Sequence, residues 1–214
     1  VSYTIDTSDL PASRKFLRGM RRAAENAQYR AVNRVASKTR TKASKRIRED
    51  VRLKAGYINQ HLKVSRKARR DDPRATITAR KRPTRLARFG AKQLTRRAPG
   101  AAGDPLRGIG AGRKAGGVAV NVSRNTGRAR MPRAFLIPLS TTRGNVFGGQ
   151  QTERTGHMGV FVRDGNRIRQ LYGPSVDQLF RRLRGEIHGD VSADLQTQYQ
   201  RQFSYYLRRE AART

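Results

Sequence analysis

The side chains in this sequence that could do chemistry are few, and their spacing excludes most of what they could do. Histidine occurs 3 times, at His61, His157 and His188, and no two of them stand at a spacing that pairs metal ligands on one helical face. A metal site would need unrelated carboxylates to converge, so neither a metal nor a cofactor is expected. His157 lies between glycines at the start of an extended run, where a turn or subunit-contact role accounts for it without catalysis. Asp71-Asp72 is the pair that invites a nuclease reading, because two-metal phosphodiester cleavage needs clustered acids. Adjacent residues on a strand point to opposite faces, however, and Arg69, Arg70 and Arg74 surround the pair with cations. A surface turn is expected instead. No Gly-x-Ser-x-Gly elbow is present, and no phosphate loop ending in Gly-Lys-Ser or Gly-Lys-Thr. Gly108-Ile109-Gly110-Ala111-Gly112 mimics a dinucleotide fingerprint but lacks a strand before it and an apolar helix after it. Cysteine is absent, which removes thiol catalysis, disulfides and Cys-based zinc sites together. The inventory points to a protein that is not an enzyme.

What remains is positive charge. Lys and Arg number 48 against 15 Asp and Glu, a formal net charge of +33. Such a chain repels itself unless a polyanion or an acidic partner surface lies close. Between Asp50 and Glu153 the only acids are Asp71, Asp72 and Asp104, so the middle of the chain carries the strongest field. Within it, Arg80, Lys81, Arg82, Arg85, Arg88, Lys92, Arg96 and Arg97 are candidates to face DNA, neutralising phosphates without reading bases. The same residues would equally serve to solvate the fold and pair with acidic neighbours in an assembly. Aromatic stacking platforms for single strands are scarce, with no Trp, 7 Phe and 7 Tyr. No apolar run approaches the roughly 20 residues that span a bilayer. Val1 to Asp9 is polar and carries acids, so no secretory leader is expected there.

The elements that must position these charges follow from periodicity. Asp9 and Pro11 mark a helix start, and Phe16, Met20, Ala24, Ala27, Ala31, Val35, Ala43 and Ile47 recur at helical spacing. A helix from about Ala12 to Arg48, some 50 Å long, is predicted. Its narrow Ala-rich stripe suits close packing along one edge, with direct DNA contact as the alternative. A short helix is expected over Ala55 to Leu62. Two strands follow, Ala75 to Ala79 and Leu86 to Ala91, joined by a basic turn at Arg80 to Pro83. Ala98 to Gly117 is dense in Gly, Ala and Pro and is expected as a flexible loop that orders on a partner. Val118, Val120 and Val122 alternate with polar or small residues as a clear strand, Arg133 to Ile137 as another, and Ser140 to Thr155 as a second loop. Val160, Phe161 and Val162 then lead into Asp164-Gly165, the turn of a hairpin. Gly173-Pro174 stop its second strand, and Ser175 with Gln178 forms a capping box for a helix expected to end at Gly189. Leu195, Tyr199, Phe203, Tyr206 and Leu207 mark a further amphipathic helix.

The predicted class is α+β: a long basic helix, an antiparallel sheet of about five strands, and C-terminal amphipathic helices. Residues 1–189 are expected as one domain containing the loop 98–117, with 190–214 as a separate helix.

Three short segments carry a family resemblance. Met131-Pro132-Arg133-Ala134-Phe135, the Gly-His-x-Gly-Val-Phe run from Gly156 to Phe161, and Leu171-Tyr172-Gly173-Pro174-Ser175 occur in the order seen in the prophage minor tail protein Z family. With its flanking helices, the chain is similar to these tail completion proteins of lambda-like phages over residues 12 to 185. The resemblance implies a structural virion protein at the head-proximal end of a tail, assembled from the host cytoplasm. It implies a ring, six-fold because such tubes are six-fold, that contacts tail terminator or tube proteins and head-completion or connector proteins. Double-stranded genomic DNA would pass through it, or be held in it, without sequence preference, and no membrane is involved. Residues expected at the subunit interface are Arg133, Phe135, His157, Val160, Phe161, Leu171, Tyr172, Gly173 and Pro174. The alternative from composition alone is a general nucleic-acid-binding protein of ribosomal or nucleoid type.

Overall fold

The structure is a computed structural model that describes residues 11–144 and 150–212. Its order is helix α1 (Pro11–Asp50), helix α2 (Ala55–His61), strands β1 (Leu62–Arg66), β2 (Thr76–Ala79), β3 (Thr84–Arg85), β4 (Lys92–Arg97), β5 (Arg113–Val120), β6 (Ala129–Met131), β7 (Ala134–Gly144), β8 (Gln150–Asp164), β9 (Arg167–Gln170), β10 (Tyr172–Gly173), and helix α3 (Val176–Ala211). The class is α+β as expected, but the single sheet is replaced by four small antiparallel ones: β1-β2, β10-β3, β4-β5-β6 and β7-β8-β9. The chain divides into two compact units, one of residues 1–43, 62–79 and 181–214, the other of 44–61 and 80–180.

The predicted long helix is present over its whole expected span and slightly beyond both ends; Asp9, its expected start signal, lies outside the described residues. A row of buried positions, Ala23, Ala27, Ala31, Val35, Thr39, Ala43 and Ile47, recurs every fourth residue, with Ala36 and Ser44 buried beside it. On a helix of 3.6 residues per turn each such step advances the buried face by about 40°. The stripe therefore winds around the helix instead of running straight. Phe16, expected in the stripe, is 58% exposed, and the fully buried alanine is Ala23, with Ala24 only half-buried.

In the first unit α1 and α3 run antiparallel. Ala23 and Ala27 pack against Tyr206, with Phe203 and Leu207 beside it. Further along, Lys38 reaches Asp194 at 2.6 Å, and Lys42 reaches Asp190 at 3.2 Å and Asp194 at 3.7 Å. Each pair of partners is spaced i, i+4, so the two facing surfaces match turn for turn. The β1-β2 ribbon is tied to α1 by Asn33, whose amide donates to the Ala68 carbonyl (2.9 Å) and accepts from the Ala68 N–H (2.8 Å). Asp71-Asp72 lies in a bend, as expected: Asp72 pairs with Arg66 and Arg74.

Four sequence expectations fail here. Gly189 does not end a helix: α3 is continuous from Val176 to Ala211, so the two predicted helices are one. Leu86 to Ala91 is not a strand but a 3-10 turn, Leu86–Phe89, closed by Gly90 at φ 68°. Leu86 and Phe89 are both buried, because three residues per turn puts i and i+3 on one face. The segment 98–117 is not one loop either. Pro105–Arg107 forms a 3-10 turn capped by Asp104, and Arg113 to Gly117 lies in β5. Most of the expected loop 140–155 is also ladder, Ser140–Gly144 pairing with Gln150–Arg154, while 145–149 lies outside the described residues.

The second unit holds the hairpin. β8 and β9 pair from Phe161↔Gln170 to Asp164↔Arg167, and Gly165 at φ 56° makes the turn that Asp-Gly predicts. The capping box forms in both directions: the Gln178 N–H donates to Ser175 Oγ (3.0 Å), and the Ser175 N–H donates to Gln178 Oε1 (2.9 Å). Phe89, Val118, Val160 and Val176 are among the fully buried side chains of this unit's core.

Candidate polyanion interface

The corner that closes the hairpin is built against the basic segment. Tyr172 pairs with Arg85 and Gly173 with Thr84, and the Leu86 N–H donates to the Leu171 carbonyl at 3.1 Å. Gly173 is bare for a steric reason: a Cβ there would lie 2.6 Å from the Phe89 ring. Gly159, the second glycine of the Gly-His-x-Gly run, is crowded in the same way, by the Phe161 ring at 2.5 Å. Both glycines thus leave room for an aromatic ring that packs where a side chain would stand.

Four of the eight basic candidates converge on this corner. Arg80, Arg82, Arg85 and Arg88 line a cleft of about 210 Å³, with Tyr57, His61 and Tyr172 completing its wall. Arg80 donates from its guanidinium to His61 Nε2 at 3.1 Å. A guanidinium has no acceptor, so in this contact Nε2 is the accepting atom. The Tyr57 ring meets His61 edge-on at 4.4 Å, and the Arg88 guanidinium sits over the Tyr57 ring, also at 4.4 Å. Tyr57 in turn donates its hydroxyl to Thr84, which is fully buried. Among the described residues no carboxylate lines the cleft. A neighbouring cleft of about 320 Å³ shares Tyr57, Arg85 and Arg88 and is lined by the exposed His157.

Elsewhere several carboxylates pair with cations, among them Asp72, Asp104, Asp190 and Asp194. Asp72 is held below the usual carboxylate range first by its hydrogen bond from Arg74, and Asp104 by that from Arg107. Among the described residues, Arg82, Arg85 and Arg88 have no such carboxylate partner. Chemically, the cleft is an array of guanidinium donors open to an anion.

The other four candidates lie apart from it. Lys81 is exposed next to Arg82 but does not line the cleft. Lys92, Arg96 and Arg97 are exposed on β4, where Arg96 faces Lys114 and Arg97 faces Arg113 across the ladder. Like charges directly opposite cost stability, so this open edge also favours an anion nearby. Of the motif residues, Val160 is fully buried in the core, Phe135 and Phe161 stack at 6.5 Å, Arg133 is exposed in the turn before β7, and Leu171 and Pro174 are half-buried. Tyr57, Gln60 and His61 are cleft residues that sequence reasoning missed. Their only signal was a short helix, and what places them is tertiary pairing.

Among the described residues no group of His, Asp or Glu is placed to hold a metal ion, and no helix is long and apolar enough to cross a membrane. The sequence profile of the prophage minor tail protein Z family matches residues 12–213. The chain belongs to that family. It is a bacteriophage minor tail protein, with a structural role in the tail. The match takes in the Gly-rich segment 98–117 and the whole described length of α3, so both are parts of the family domain. No curated protein and no solved structure matches the chain.

Proposed function

We propose that this tail protein completes the head-proximal end of the tail, closing there into a homo-oligomeric ring through which genomic DNA passes or in which it is held. The observation that carries the reading is the joining of the motif corner Leu171–Ser175 to a carboxylate-free arginine cleft. A residue run that marks a tail protein is thereby placed beside the surface best suited to phosphates. Ring closure needs a heterologous interface, two different patches that meet around an axis. Ile168 and Tyr172, 51% and 46% exposed on adjoining strands, supply apolar surface for one of them. The ring is six-fold, its neighbours are the tail tube or terminator and the head-completion proteins, and DNA contact is independent of sequence.

The test is the mass of the purified protein in solution across a range of salt, with and without short duplex DNA. A discrete ring that persists at high salt is the expected result. A monomer that only coats DNA and releases it steeply as salt rises would overturn the ring and favour a general nucleic-acid-binding protein. Alanine at Phe161 and Tyr172 is expected to impair assembly.

A further inference from the structure

We propose that the cleft bounded by Arg80, Arg82, Arg85 and Arg88 is a discrete phosphate-binding site, distinct from the diffuse basic surface along β4. The inference deepens the reading of this face as the DNA-facing one.

Three features separate a site from a patch. The first is shape: the four arginines line a single cleft of about 210 Å³, room for a phosphate group with a few waters, whereas the β4 cations stand on an open strand. The second is pre-organisation without neutralisation. Arg80 is steadied by the His61 ring and Arg88 by an aromatic face, while the ladder to Tyr172 fixes the backbone from which Arg85 projects. Neither side-chain contact brings a carboxylate to the cleft, so the Arg80 and Arg88 guanidiniums are held in place without an opposite charge. The third is the number of donors. A planar carboxylate offers two oxygens, whereas a tetrahedral phosphate offers non-bridging oxygens in several directions and accepts from several guanidiniums at once. The donor set therefore favours phosphate over an acidic side chain of a neighbouring protein.

The phosphate has two possible sources, a DNA backbone phosphodiester or free phosphate. Tyr172, at the cleft wall and 46% exposed, leaves the mouth open to a chain running past it.

The experiment titrates inorganic phosphate into the full-length protein by calorimetry, in chloride buffer at matched ionic strength. It compares R82Q/R85Q with R96Q/R97Q, which removes the same charge from β4. Saturable phosphate binding is expected, weakened about tenfold or more in R82Q/R85Q, as befits losing charge-assisted hydrogen bonds, and little changed in R96Q/R97Q. Thermal melts of both variants check that each is folded. A second arm measures duplex DNA affinity. If the cleft takes the DNA backbone, R82Q/R85Q loses more affinity than R96Q/R97Q and inorganic phosphate competes; if it takes free phosphate, the two variants lose DNA affinity equally. Absence of saturable phosphate binding, equal weakening by the two variants, or displacement of phosphate by poly-glutamate at matched charge would each overturn the site. Failure to form a ring would overturn the assembly reading and leave the phosphate result intact, so the two failures are distinguishable.

Discussion

Replacing Gly173 with Ala tests whether the motif corner is shaped by the Phe89 ring. The added Cβ would sit 2.6 Å from Cε2 and 3.1 Å from Cζ, against the roughly 3.5–4.0 Å at which carbon atoms pack comfortably. Phe89 is fully buried, so its ring has no solvent-side escape and must push on its neighbours. Gly173 does not have a positive φ, so alanine brings no backbone strain and the penalty is steric. Overpacking of this kind costs about 1–3 kcal/mol. At about 2–4 °C per kcal/mol for a chain of this length, the melting temperature should fall by about 2–12 °C. Calorimetry at fixed protein concentration reads this directly. The specific check is the double variant G173A/F89L: removing the ring removes the clash, so its destabilisation should fall short of the sum of the single variants by more than about 0.5 kcal/mol. A G173A protein that melts like the parent, or strict additivity in the double variant, would refute the steric account.

Three further expectations follow from the helices and their ion pairs. Gly189 sits in the interior of α3 with open space around its Cα, so Gly189→Ala should stabilise by about 0.5–1 kcal/mol; had the glycine been a left-handed helix end, the same change would destabilise, and a thermal melt separates the two. Ala27 is fully buried against α3, so Ala27→Leu should cost about 1–3 kcal/mol by forcing the helices apart, whereas Ala at the exposed Arg21 should fall within about 0.5 kcal/mol of the parent in the same denaturant titration. Asp194 is held below the ordinary carboxylate range, first by the hydrogen bond from Lys38 and then by the nearby charges of Lys38 and Lys42. A depressed carboxylate stabilises the fold above its unfolded value of about 4 and loses that contribution as pH falls through its folded value. Stability should therefore decline below about pH 4, more gently at high salt because the pair is solvent-screened. Asp194→Asn should flatten that acid limb, and an unchanged limb would dismiss the pair.

How much of this was legible depends on whether the deciding contact was local. α1, the Asp164-Gly165 hairpin and the Ser175–Gln178 capping box rest on residues within a few positions of one another, and each is found in the structure. Gly189 misled because a local helix-stop signal competes with a non-local clamp. Lys42 and Lys38 hold Asp190 and Asp194, in the turns just after it, and this packing outweighs the roughly 1 kcal/mol a mid-helix glycine costs. The 86–91 segment misled for a different reason. Ala87, Phe89 and Ala91 do alternate, but the buried residues are Leu86 and Phe89, a three-residue spacing that alternation hides. In 113–117, glycine and alanine signalled a loop because they bury little, yet backbone pairing with β4 needs no large side chain.

The cleft lay beyond local reading altogether. The Arg80 to Arg97 run was legible as charge, and Leu171 to Pro174 as a motif, and nothing in the spacing joins Arg85 to Tyr172. Their pairing changes the meaning of both. It divides the basic run into a group that lines a cleft and an open group on β4, and it puts Tyr172 of the motif corner in the wall of that cleft. Charge on an open strand edge weakens smoothly with salt, whereas four guanidiniums around one cavity should show saturation and a preference for phosphate over chloride at equal ionic strength. A tail protein built this way would grip the polyanion at defined points around its path while the remaining basic surface lowers the cost of bringing it there.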